Sequence, residues 1–174
     1  MKKKSSAAGP PPPAANRGGH KTSPTASSPR YLALVQMLRT AENLWNTSRA
    51  FFERWDLSPS QFNVLNLLRA NPAGLSQIEI SRLLIMHRSN ATGLIDRLEQ
   101  RGLLQRRNTP GDRRAYQVVL TPAARQLLDQ ILPEYYQVAE VVWGDLSPAR
   151  IAEFLDDLTR LNASLAEIKS NLAP

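Results

Sequence analysis

The chain is predicted to be mostly α-helical with one small β-wing, and three observations predict it. Between Ser76 and Leu120, two short amphipathic helices are followed at once by two short apolar strands around a turn-rich basic loop. Long apolar helical seams occupy the stretches on either side of that segment. Positive charge collects on the central segment, while the C-terminal helices are acidic. The order helix, turn, helix, wing makes the centre a winged helix-turn-helix lobe, flanked by helical segments at both ends.

The charge asymmetry can be counted along the 174 residues, whose formal net charge is +7. Up to Arg30 there are six basic residues and no acidic one; from Ser76 to Val118 eight arginines meet four acids, and from Val119 onward four bases meet eight acids. A surface that faces phosphate needs such a distribution. Residues 1–29 are expected to be a disordered basic tail, because this Pro-, Ser- and Ala-rich stretch, with its run Pro10 to Pro13, has almost nothing apolar to offset its ordering entropy. Lys2, Lys3 and Lys4 precede no apolar segment of signal length, and no later stretch approaches a membrane span. The expectation is a cytoplasmic protein without membrane contact. Cysteine is absent, which removes disulfides, thiolate nucleophiles and cysteine-based peroxide sensing together. With His20 and His87 the only histidines, a histidine-rich zinc site is not expected, nor is any cofactor.

From Tyr31 to about Trp55 a helix is predicted, with Leu34, Leu38, Ala41, Trp45, Ser48, Phe52 and Trp55 forming a heptad-like seam that Met37, Leu44 and Phe51 widen. Either the chain's own later helices or a second copy covers it. Ser58 caps the next helix, with Pro59 at its first position, Gln61 completing a capping box, and Phe62, Leu65 and Leu68 on its buried face. Asn71-Pro72-Ala73-Gly74 ends it. Ser76 and Glu79 write a second capping box, for a helix whose apolar residues are Ile78, Leu83 and Leu84. The following helix places Ala91, Leu94, Ile95 and Leu98 in one stripe, carries Arg88, Ser89, Thr92, Asp96 and Glu99 opposite, and stops at Gly102. Leu103 to Arg107 and Tyr116 to Leu120 are the strands, joined by eight residues containing Pro110 and Gly111, a hairpin with an extended tip bearing Asp112, Arg113 and Arg114. Thr121 caps a helix opened by Pro122 that carries Leu127, Leu128 and Ile131, is expected to kink at Pro133, and ends at Gly144. Ser147-Pro148 starts the last helix, with Ile151, Phe154, Leu155, Leu158, Leu161, Leu165 and Ile168 in one stripe.

The segments Leu57-Ser-Pro-Ser-Gln-Phe-Asn-Val-Leu, Leu75-Ser-Gln-Ile-Glu-Ile, Thr92-Gly-Leu-Ile-Asp-Arg-Leu-Glu, Arg101-Gly-Leu-Leu, Pro110-Gly-Asp-Arg-Arg-Ala and Val119-Leu-Thr-Pro, in that order and spacing, resemble the MarR (multiple antibiotic resistance regulator) family of winged-helix transcriptional regulators. The resemblance extends from about Tyr31 to the C-terminus. It implies a domain at 30–174, with dimerisation helices at 30–56 and 123–174 around a DNA-binding lobe at 57–122. It further implies a homodimer that binds a pseudo-palindromic double-stranded operator with half-sites about one helical turn apart, and that acts as a repressor released by a small aromatic or anionic effector. Trp45, Arg49 and Phe62 are candidates for lining the effector crevice, with core packing the favoured reading of the two aromatics.

For DNA, the resemblance matches Arg114 to the wing arginine that enters the minor groove, with Arg113 beside it on phosphate. Asp112 is expected to fix the wing by pairing with an arginine such as Arg97, and Asp96 to pair with a wing arginine. Arg88, Ser89, Asn90 and Thr92 lie in the first turns of the second helix, where side chains meet bases and phosphates; Arg88 offers two donors to guanine and Asn90 suits adenine. His87 departs from the family's Ser or Thr cap, so either the cap is weaker or the imidazole touches DNA; Ile85 likewise replaces a small turn residue. Two further readings stay open: a DNA-binding dimer without effector, and a winged helix used for protein contact. An enzyme is not expected, since Glu153, Asp156 and Asp157 lie along a polar helix face without a histidine partner.

Overall fold

A computed structural model describes residues 28–84, 91–109 and 112–172, including every side chain in those ranges except residues 109 and 112–115. The elements are α1 (Pro29–Glu53), α2 (Pro59–Ala70), α3 (Gln77–Leu83), α4 (Ala91–Gln100), β1 (Leu104–Thr109), β2 (Asp112–Leu120), α5 (Pro122–Trp143) and α6 (Pro148–Leu172). They fall into two units, one ending at Thr47 within α1 and one beginning at Ser48. Among the described residues no helix is long and apolar enough to cross a membrane.

The second unit is built around α2. Ser58 caps it as the sequence predicts: its hydroxyl accepts from the Gln61 amide at 3.2 Å, and its own amide donates to Gln61 Oε1 at 2.8 Å. Phe62, Val64, Leu65 and Leu68 are buried, and α2 packs against α4, β2 and α5. Phe62 stacks on Phe52 with ring centroids 4.2 Å apart, and Tyr135 of α5 closes over both. The turn before α2 puts Asp56 at a positive φ of 51°, and Arg101 braces it by donating to the Asp56 and Trp55 carbonyls. Trp55 therefore lies beyond the end of α1, and Phe52 is the one residue of α1 that is buried.

Between α2 and α3 the chain crosses β2. Leu75 forms an antiparallel bridge with Val118, donating to its carbonyl at 3.1 Å and accepting from its amide at 2.8 Å. The approach requires glycine at 74, where φ is +97° and an added Cβ would lie 2.6 Å from Val119 Cγ1. Gly74→Ala should therefore lower unfolding free energy by about 1–2 kcal/mol, measured by urea denaturation; an unchanged midpoint would refute the steric account.

α3 has the expected capping box, in which Glu79 accepts from the Ser76 amide and hydroxyl, each at 2.7 Å. The Ser76 hydrogen bonds hold the Glu79 carboxyl below the usual carboxylate range. Its buried face differs from the expectation. Ile80 and Leu84 point into the core, whereas Ile78 and Leu83 are more than half exposed. With barely two turns, the apolar pattern fixes the roll of α3 weakly, and the cap geometry together with contacts to α4 decides it. On α4 the predicted stripe Ala91, Leu94, Ile95 and Leu98 is buried, and Gly102 takes the left-handed conformation after it.

The hairpin also differs from the expectation. β1 and β2 run on to Thr109 and Asp112, past the apolar residues, so the loop contains only residues 110 and 111. Backbone pairing needs no apolar side chains, so it continues where apolar alternation has stopped. The register passes from Asn108↔Tyr116 to Thr109↔Asp112, which leaves residues 113–115 as extra residues on β2. After the wing, Thr121 caps α5, and the helix continues through Pro133 as a single element. α6 buries no residue at all.

Candidate nucleic-acid interface

Thr92, Asp96 and Glu99 follow one another at helical spacing along one face of α4, opposite its buried stripe. This face is tied to the wing. Arg106 of β1 donates to Asp96 Oδ1 at 2.5 Å and to Glu99 Oε2, and its amide donates to Glu99 Oε1 at 3.1 Å. Its guanidinium also lies over the Tyr116 ring, 5.3 Å from the centroid. Hydrogen bonding to Asp96, aided by Tyr116 and the two carboxylate charges and opposed by burial, raises the Arg106 pKa further above its ordinary value. The cation is permanent, and it neutralises the two acids that face the wing.

A second tie reaches the start of α4. The Tyr116 hydroxyl of β2 donates to Gln77 Oε1 at 2.9 Å, and Gln77 Nε2 donates to Thr92 Oγ1 at 2.5 Å. α3, α4 and both wing strands are thus linked through side chains.

The predicted pairing of Asp96 with a wing arginine is present, with Arg106 as the partner. Thr92 is exposed on the first turn of α4, and Arg97 is exposed near its end. Asp112, Arg113 and Arg114 belong to the backbone of β2, the two arginines among its extra residues; their side chains lie outside the described residues, as therefore does a pairing of Asp112 with Arg97. His87, Arg88, Ser89 and Asn90 are also outside the described residues. Of the crevice candidates, Trp45 is half-buried, Arg49 is exposed, and Phe62 is 2% exposed with Phe52 and Tyr135 against its ring, so packing accounts for it. Among the described residues no group of three or more His, Asp or Glu is placed to hold a metal ion.

Sequence reasoning missed Gln77, Arg106 and Tyr116. Arg106 and Tyr116 were legible only as members of strands, and nothing local to Gln77 announces partners 15 and 39 residues away.

Residues 55–115 match the family model described as MarR family. Over that segment the chain is similar to the MarR family. The chain is 28% identical over 123 residues to the HTH-type transcriptional regulator PecS of Dickeya dadantii, a match covering 70% of each protein. It is 34% identical over 82 residues to the transcriptional repressor MprA of Escherichia coli K12, covering 47% of this chain and 46% of MprA. The solved structure of Bordetella bronchiseptica BpsR, described as regulated in DNA binding by 6-hydroxynicotinic acid, superposes with a TM-score of 0.66 at 25% identity, covering 79% of this chain and 94% of BpsR. PecS and MprA are named as transcriptional regulators, not as enzymes.

Proposed function

We propose that the protein is a homodimeric repressor that binds a pseudo-palindromic double-stranded DNA operator and releases it when a small aromatic or anionic effector binds. The observation that carries this reading is the bracing of the wing onto α4 by Arg106. It holds a strand containing Arg113 and Arg114 in fixed relation to the exposed polar face that Thr92 begins. A helix held for the major groove and a basic ribbon held for the adjacent minor groove read a duplex together.

Dimerisation through residues 30–56 and 123–174 is supported by apolar side chains left in solvent. Leu38 on α1 is 72% exposed and Val141 on α5 79%, and Leu155, Leu165 and Ile168 on α6 are more than half exposed. Apolar area on that scale marks an association surface. An effector need supply little energy, since a tenfold loss of affinity corresponds to about 1.4 kcal/mol. The small aromatic acid in the description of BpsR favours a ligand of that chemistry.

Sedimentation equilibrium at micromolar concentration should give twice the 19.4 kDa chain mass. Selection from random duplexes should return inverted half-sites about one helical turn apart. A monomer at every concentration, or no enriched duplex, would overturn the proposal. Titrating small aromatic acids into the protein–DNA complex should release the duplex; failure of a broad panel would favour the effector-free dimer.

A further inference from the structure

Gln77 is the side chain through which three elements of the lobe meet. Its carboxamide oxygen accepts from Tyr116 on β2 at 2.9 Å, and its nitrogen donates to Thr92 on α4 at 2.5 Å. Two hydroxyls flanking an amide can in principle be ordered in either direction, because each can donate or accept. Arg106 fixes the direction here. A guanidinium only donates, and Arg106, which lies over the Tyr116 ring and hydrogen-bonds its hydroxyl, takes the phenol oxygen as acceptor and leaves the O–H for Gln77 Oε1. The amide nitrogen then faces Thr92, whose oxygen accepts. Thr92, its oxygen engaged by Gln77, keeps its hydroxyl hydrogen for another acceptor, and the residue is exposed on the first turn of α4.

We propose that Gln77 is a positioning residue that presents Thr92 to DNA as a hydroxyl donor, through a hydrogen-bond chain directed from Arg106 by way of Tyr116. The acceptor is a backbone phosphate, which offers lone pairs and no hydrogen to a neutral partner. The inference rests on the DNA-binding reading above and deepens it. Gln77→Glu keeps the length and shape of the side chain, but a carboxylate only accepts. The last bond reverses, and the Thr92 O–H turns inward.

The test measures fluorescence anisotropy with a duplex selected from random sequence by the wild-type protein, alongside thermal unfolding. Thr92→Val should weaken binding by about tenfold or more, with the salt dependence unchanged because no counterion-releasing charge is lost. Gln77→Glu should weaken it at least as much with a thermal midpoint close to wild type, yet add no more than about threefold in the Thr92→Val background. Wild-type affinity in Gln77→Glu, or losses that multiply in the double variant, would overturn the inference. If Gln77→Glu does not fold, Tyr116→Phe decides, since it keeps the ring over Arg106 and removes only the directing O–H. A severalfold loss that disappears in the Thr92→Val background supports the chain, and an unaltered affinity refutes it. Arg113→Ala with Arg114→Ala on the same duplex separates the two levels. If that variant also binds like wild type, the DNA reading itself fails; if it alone loses binding, only the role of Gln77 does.

Discussion

Replacing Arg113 and Arg114 together with alanine should lower affinity for duplex DNA by about a hundredfold or more at moderate salt, while leaving thermal stability near wild type. The expected loss is large because the proposed homodimer would bring both arginines twice. Each phosphate contact contributes about 0.9 to the slope of log affinity against log salt, so the slope should flatten by up to roughly 3.6. Stability should hold, because the residues sit among the extra residues of β2, outside the regular pairing that runs from Leu104↔Leu120 to Asn108↔Tyr116. Anisotropy titrations at several salt concentrations give both quantities. A folded double variant with wild-type affinity would instead assign the winged helix to protein contact.

Arg106→Ala should act on stability and binding together. One guanidinium holds two carboxylates of α4 and lies over Tyr116, and its side chain is 26% exposed, against 45% for Asp96 and 35% for Glu99. Exposed pairs contribute little, and fully buried ones cost about 3–5 kcal/mol to break, so this half-buried network should cost about 2–3 kcal/mol. DNA affinity should fall by more than lost stability explains, because the wing is no longer held to α4. Arg106→Lys should recover only part of either, since an ammonium cannot span two carboxylates and stack on a ring as a planar fork does. Chemical denaturation and binding measured on the same samples check this, and a variant unchanged in both would remove the brace from the account.

What was legible in the sequence was written locally. The capping pairs Ser58 with Gln61 and Ser76 with Glu79, the Thr121-Pro122 start and the Gly102 stop each need only neighbours within a turn, and all are present. The stripe on α4 was legible because ten residues give enough turns to fix a roll. The inward face of α3 was not, since seven residues do not. The outer half of the wing was hidden for another reason: beyond Arg107 its strands carry polar side chains, and ladder bonds leave no mark on side-chain pattern. Of the interface, Asp96 and Thr92 were legible from helical spacing, but the partners that orient them come from β1 and α3 and depend on the assembled lobe.

The lone bridge between Leu75 and Val118 has a consequence for solubility. A two-stranded ribbon offers unpaired amides and carbonyls along both margins, an invitation to cross-strand stacking between molecules. By occupying the outer margin of β2 at Val118, Leu75 blunts that side near the base of the ribbon, where Val118, Val119 and Leu120 are most apolar. What remains open is the arginine-rich outer half, where like charges on two approaching ribbons repel and discourage aggregation.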